Sequence, residues 1–115
     1  MTRILISQRE IVLISFPFSN FQESKVRPVV VISNDAYNKK FADIIVIPLT
    51  SNMKVRNHTV VITSAELETG KLIVDSRAKV DKVFSVEQSL IRKKIGRVQK
   101  SVHENLKQIL FEIIG

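Results

Sequence analysis

Arg27 stands where a polar stretch gives way to the apolar run Pro28-Val29-Val30-Val31-Ile32, and Thr50-Ser51 follows the apolar run Ile44-Ile45-Val46-Ile47-Pro48-Leu49. A guanidinium offers an oxyanion a planar fork of donors, and paired hydroxyls offer short donors and acceptors beside it. At the ends of buried strands such groups are held by the scaffold, which selective binding or catalysis requires. Each segment also has a plain structural explanation. An arginine at a strand start is commonly solvated or salt-bridged, and Thr-Ser after a strand commonly makes a turn.

The elements that would position these groups are short strands. Glu10–Phe16 is rich in β-branched residues and stops at Pro17, so it reads as a strand, followed by a polar loop over Phe18–Lys25. Arg27–Ser33 is nearly continuous in apolar character, as expected of a strand buried on both faces. Asn34-Asp35 is a turn or helix-cap signal, and Asp35–Phe41 suits one short helix. Ile44–Leu49, Thr59–Ile62 and the stretch Ser76–Phe84 follow as strands, the last with a bulge because Ala78, Val80 and Val83 do not alternate cleanly. Val86–Leu90 suits one helical turn, and Lys94–Val98 another strand, interrupted by Gly96. Ser101 then resembles an N-cap for a helix whose apolar residues Val102, Leu106, Ile109, Leu110 and Ile113 share one face, closed by Gly115. Short strands with one amphipathic C-terminal helix predict a mainly β fold: a small barrel or tightly bent sheet with that helix packed on it.

A chain of 115 residues suits a single domain spanning 1–115. With 44% hydrophobic and 25% charged residues it has the profile of a globular protein. Cysteine is absent, which excludes disulfides and thiolate metal sites and fits a reducing compartment. The first residues lack an apolar stretch of signal-peptide length, and no apolar run is long enough to span a bilayer, so a cytoplasmic protein without membrane association is expected. Eighteen Lys and Arg against eleven Asp and Glu give a net charge of +7, an excess that draws in nucleic acid, RNA or DNA. Arg92, Lys93, Lys94, Arg97 and Lys100 cluster without an acid among them, which fits a track for RNA and equally a solvated edge strand whose lysines block aggregation.

In their order and spacing, Glu10-Ile11-Val12-Leu13, Lys25-Val26-Arg27-Pro28-Val29-Val30-Val31-Ile32, Ile47-Pro48-Leu49-Thr50-Ser51, Val80-Asp81-Lys82-Val83-Phe84-Ser85 and Ile95-Gly96-Arg97-Val98 resemble the PemK/MazF/Kid toxin family. The likeness runs from about Arg9 to the last helix. It implies an SH3-like small β-barrel of the MazF/Kid/CcdB kind and a homodimer. It also implies endoribonuclease activity on single-stranded RNA and neutralisation by a cognate antitoxin that fills the RNA groove.

Metal-free RNA cleavage needs a base for the 2′-hydroxyl proton, a donor for the leaving 5′ oxygen, and positive charge facing the phosphorane. The resemblance places the arginine of the Arg-Pro pair and the threonine of the strand end at catalysis, which are Arg27 and Thr50 here. Arg27 is assigned electrostatic stabilisation, because a guanidinium gives up its proton very reluctantly. Asp81 looks like the carboxylate that some relatives use as base, and Lys79 sits where those relatives carry an arginine. Two apart on one strand, Lys79 and Asp81 would share a face and point at one phosphate, or pair with each other on the surface. Ser51, Phe21, Lys25 and His58 are the candidate RNA contacts.

The chain departs from the family at Phe21, where some relatives carry an imidazole or hydroxyl. Proton transfer there is lost; Phe21 is left to stack on a base or, with Phe16 and Phe18, to cap the core. His103, in the first turn of the last helix, reads as a surface residue. No cluster has metal-ligand spacing and no glycine-rich phosphate loop exists, so neither a metal nor a cofactor is expected. Two alternatives stay open: a non-catalytic nucleic-acid-binding barrel, and a toxin of the same fold that poisons DNA gyrase.

Overall fold

The computed structural model describes residues 5–16 and 25–115 and, within these, the side chains of all but Phe16 and Lys25. Phe18, Phe21 and the loop expected over Phe18–Lys25 therefore lie outside the described residues, apart from Lys25 itself, which opens a strand. The elements are β1 (Glu10–Phe16), β2 (Lys25–Val31), α1 (Asp35–Lys40), β3 (Asp43–Thr50), β4 (Thr59–Ile62), β5 (Leu67–Gly70), β6 (Ser76–Lys79), β7 (Phe84–Glu87), β8 (Ile91–Val98) and α2 (Lys100–Ile114). Single 3-10 turns occupy Ser64–Glu66, Val80–Lys82 and Gln88–Leu90.

The strands form one antiparallel sheet in the order β4-β6-β3-β2-β1-β8-β5, with β7 beside the other half of β3. Although β4 and β5 stand at opposite ends of that order, only residues 63–66 separate them in the chain. A tether of that length reaches at most about 18 Å, so the ends must approach and the sheet must curl into the expected barrel shape. Where β5 meets β8 the backbones nearly touch: a Cβ on Gly96 would lie 2.4 Å from the Thr69 carbonyl oxygen. Gly70, across from it, has φ +83. Only glycine fits both constraints.

Alternation along the strands creates two cores. Ile11, Val30, Ile47, Leu49, Val60, Ile62, Ala78, Val80 and Val98 face α2, which lays Val102 and Leu106 on them. The opposite face gathers Ile6, Val12, Ile14, Val29, Val31, Ile44, Val46, Val86 and Ile91. Helix α1 is started by Asn34, whose side chain accepts the Tyr37 N–H at 2.8 Å, and carries Asp35 in its first turn and Lys39 and Lys40 in its last, matching the helix dipole.

Several boundaries differ from the sequence expectation. Ser76–Phe84 is not one bulged strand. Leu49 pairs with Ala78 and Val46 with Phe84, so residues 79–83 lie opposite only residues 47 and 48. The surplus is taken up by the turn Val80–Lys82. The helical turn foreseen over Val86–Leu90 is confined to Gln88–Leu90, because the preceding residues pair with β3. Strand β8 starts at Ile91 and runs unbroken through Gly96. It lies between β1 and β5, but β5 pairs only with Gly96–Val98, so the edge character expected of this stretch is confined to Ile91–Ile95. The α2 N-cap is Gln99, not Ser101, and Ile113, expected on the apolar face, is exposed.

His103, expected on the surface, is 5% exposed, and its Nδ1 has no hydrogen-bond partner among the described residues. Burial, helped by the positive charges of Lys107 and Arg9 and opposed by Glu104, holds its pKa below the ordinary 6.5. The unfolded chain therefore takes up this proton more readily than the native one, and stability is lost as pH falls through 6.5 towards the native value. The unfolding temperature should hold near pH 7.5 and decline towards about pH 5.5, and His103→Gln should flatten that decline. A slope that persists unchanged in the variant assigns it to other groups.

Candidate phosphate-binding site

The site begins with two prolines. Ile32 N–H donates to the Ile45 carbonyl at 2.9 Å, and antiparallel alternation then calls for donors at Val30 and at Pro28 towards β3. Pro28 has no N–H, and the β2–β3 pairing ends at Val29 with Pro48. On the other edge of β3, Pro48 falls where a donor would face the chain leaving β6, and there the turn Val80–Lys82 departs. Extending the β2–β3 register two residues past the last pair brings Arg27 level with Thr50, beyond the point where the ladder stops holding the strands.

Thr50 in turn pairs with Arg77 of β6, and Lys79 pairs with Thr59 of β4. Paired residues share a face, as do residues two apart. Arg27, Thr50, Arg77, Lys79 and Thr59 therefore lie on the face of the second core, as its polar continuation. A cavity of about 370 Å³ opens there, lined by Thr50, Asn52, Lys54, Val55, Arg56, Thr59, Arg77 and Lys79.

Its outer wall is the segment 51–58, a chain without regular structure held by side chains. The Thr50 hydroxyl accepts the Asn52 N–H at 3.2 Å, and Asn52 Oδ1 accepts the Lys54 N–H at 3.1 Å. Arg77 donates from Nε to the Met53 carbonyl at 3.2 Å and from Nη1 to Thr59 Oγ1 at 3.0 Å. Thr59 passes its own proton to the Arg56 carbonyl at 2.7 Å. Because Thr50 accepts in this network, its hydroxyl proton remains available to a ligand oxygen.

Among the described residues, Lys54, Arg56, Arg77 and Lys79 give the cavity four cationic side chains and no carboxylate in its lining. The acid nearest to it by contact is Asp81, 3.9 Å from Arg56 Nη2. Asp81 does not share a strand face with Lys79 as the spacing suggested. It rides on the 3-10 turn, which swings it beside the segment 51–58, and Val80 N–H fixes that turn to the His58 carbonyl at 3.0 Å. Such a site suits an anion with several oxygens, above all a phosphodiester: cations to neutralise it, a hydroxyl to donate and a carboxylate within reach to accept a proton. Among the described residues no group of three His, Cys, Asp or Glu could hold a metal ion.

Of the residues singled out in the sequence, Thr50 and Lys79 line the cavity, Arg27 is level with Thr50, and Asp81 adjoins through Arg56. Ser51 is exposed just past the strand end, outside the lining. His58 is exposed with φ 59 and contributes its carbonyl rather than its ring. Lys25 is described only as the first residue of β2, and Phe21 lies outside the described residues. The sequence reading missed Arg77, Thr59, Asn52, Lys54 and Arg56. Counting two residues back from Lys79, rather than forward to Asp81, would have found Arg77.

The family described as PemK-like, MazF-like toxin of type II toxin–antitoxin system matches residues 7–114. No curated protein sequence matches the chain. Among solved structures, a MazE–MazF crystal structure from Deinococcus radiodurans superposes with a TM-score of 0.81 at 19% identity, covering 97% of either chain. An endoribonuclease from Mycobacterial species gives 0.76 at 15% identity, over 100% of this chain and 96% of that one. The Mycobacterium tuberculosis toxin MazF-mt6 gives 0.74 at 18%, over 92% and 96%. At these identities the likeness is one of fold.

The Arg56–Asp81 pair joins side chains that are 50% and 30% exposed, and a pair so open to water contributes less than about 1 kcal/mol. Asp81→Asn should therefore shift chemical unfolding by less than that. A larger loss would make Asp81 a structural residue.

Proposed function

The chain belongs to the PemK-like, MazF-like toxins of type II toxin–antitoxin systems, and from that premise we propose that it is a metal-independent endoribonuclease acting on single-stranded RNA. The observation that carries this reading is the convergence of four cationic side chains, the Thr50 hydroxyl and the neighbouring Asp81 on one cavity, with Arg27 level with Thr50. Structures of the same fold described as an endoribonuclease, alone and with its cognate antitoxin, support it.

In the proposed reaction the ribose 2′-oxygen attacks the adjacent phosphorus and gives its proton to the Asp81 carboxylate. The bond to the 5′ oxygen breaks, and that oxygen takes up a proton from water to leave as a hydroxyl. Arg27 faces the charge that builds on the phosphorane, Thr50 donates to a non-bridging oxygen, and Lys79 steadies the phosphate. The fragments carry a 2′,3′-cyclic phosphate, hydrolysed on to a 3′-phosphate, and a 5′-hydroxyl. Ser51, Lys25, Phe21 and His58 are assigned to contacts with the flanking nucleotides.

A single toxin domain over residues 1–115 assembles as a homodimer, in keeping with large apolar side chains such as Phe111 and Ile114 left open to water. It works in the cytoplasm and is silenced by a cognate antitoxin whose acidic segment takes the place of RNA phosphates. Among the described residues no helix is long and apolar enough to cross a membrane.

Incubation of the purified protein with a long RNA in EDTA should give discrete fragments with 5′-hydroxyl ends. Fragments with 5′-phosphates, or a strict need for Mg²⁺, overturn the mechanism; no cleavage, with RNA still bound, leaves the non-catalytic barrel. Arg27 is exposed, so Arg27→Ala should keep the thermal unfolding temperature while losing on the order of 10²–10³ in cleavage rate. Unfolding, or undiminished cleavage, would make it structural or incidental.

A further inference from the structure

We propose that Arg77 is a positioning residue whose fork clasps the segment 51–58 and thereby sets Lys54 and Arg56 as a fixed cationic wall for RNA; the RNA part rests on the nuclease reading above. The segment runs from the end of β3 to the start of β4 without a strand or helix of its own, and it carries two of the four cations that line the cavity. An exposed segment of this kind samples many conformations unless side chains hold it. Val80 N–H holds its far end at the His58 carbonyl, and the side-chain hydrogen bonds that tie down its middle start from Arg77. Nε seizes the Met53 carbonyl, immediately before Lys54, and Nη1 holds Thr59, whose hydroxyl holds the carbonyl of Arg56 itself. The carbonyls beside and at the two cations are thus tied, directly or through one hydroxyl, to a single guanidinium planted on β6.

The geometry requires an arginine. Two donors that diverge from one rigid plane reach Met53 and Thr59 together, whereas the single ammonium of lysine at this position keeps the charge without the fork. Position 77 is paired on both sides, with Thr50 and with Val61, so the base of the clasp stands on the interior of the sheet while its tip governs the loop. Ordering the wall in advance spares RNA binding that entropy. The consequence is an effect on substrate capture rather than on the chemical step.

The test uses the full-length protein with Arg77→Lys and Thr59→Val, the second preserving β-branched shape in β4 while removing the hydroxyl relay. Trypsin cleavage after Lys54 and Arg56 reads the clasp without RNA, and both variants should be cut there on the order of tenfold faster than wild type at unchanged thermal stability. On RNA, both should raise KM on the order of tenfold with kcat within about twofold. The slope of log affinity against log salt should fall by more than the roughly 0.7 expected for one charge, even though Arg77→Lys conserves charge. Wild-type behaviour of Arg77→Lys in both assays overturns the clasp, and so does a loss confined to kcat, which would move Arg77 to the transition state. Wild-type protein that neither binds nor cuts RNA overturns the nuclease reading alone, and the trypsin comparison then decides the clasp by itself. Should Arg77→Lys fail to fold, Thr59→Val carries both assays.

Discussion

Two missing backbone N–H groups organise this molecule. Strand β3 sits in the middle of the sheet, yet at Pro28 its partner on one side cannot donate, and at Pro48 it cannot donate to the other. An unpaired donor in a sheet interior would be costly, and proline removes the donor instead of leaving it unsatisfied. The ladders can therefore end inside the sheet without orphaned N–H groups. On one side the chain is released between Arg27 and Thr50. On the other, the turn Val80–Lys82 leaves the edge and delivers Asp81. Both openings lie within two residues of the end of β3.

Beyond these openings the site inherits its rigidity from packing. The face that bears Arg27, Thr50 and Arg77 is the face of Val29, Val31, Ile44 and Val46, all fully buried. A single alternating register thus makes apolar core at one end of β2 and β3 and cationic surface at the other, and no separate scaffold is needed for the polar groups. The turn that holds Asp81 is anchored in the other core, because Val80 is buried among the residues beneath α2. The base and the cations of the proposed reaction are consequently fixed by opposite faces of one sheet.

How much of this was legible in the sequence depends on whether local pattern or pairing decides each feature. The runs Glu10–Phe16, Ile44–Leu49 and Thr59–Ile62, and the Asn34 cap, follow from side-chain type alone and match the structure closely. The C-terminal helix was legible from its spacing, its buried histidine was not, because the burial of His103 depends on what the first turn of α2 packs against. The same holds for Asp81. Broken alternation within Ser76–Phe84 signalled an irregularity, but not that β3 would pair with its two ends in registers three residues apart. Arg77 was overlooked because nothing in the sequence says that Met53 and Thr59 come to its side; that is fixed only when β4 pairs with β6.

The surplus between β6 and β7 also divides the molecule's evolutionary freedom. Because Leu49–Ala78 and Val46–Phe84 anchor the chain on either side of the turn, residues gained or lost between them alter neither ladder. Each such change displaces the acid against cations that stay where β2, β6 and the segment 51–58 put them. Descendants of this fold can retune or discard the acidic partner by changes of length alone, while Arg77 and Lys79 keep places set by strand pairing. The acid is the adjustable half of the site, and the cationic row its inherited half.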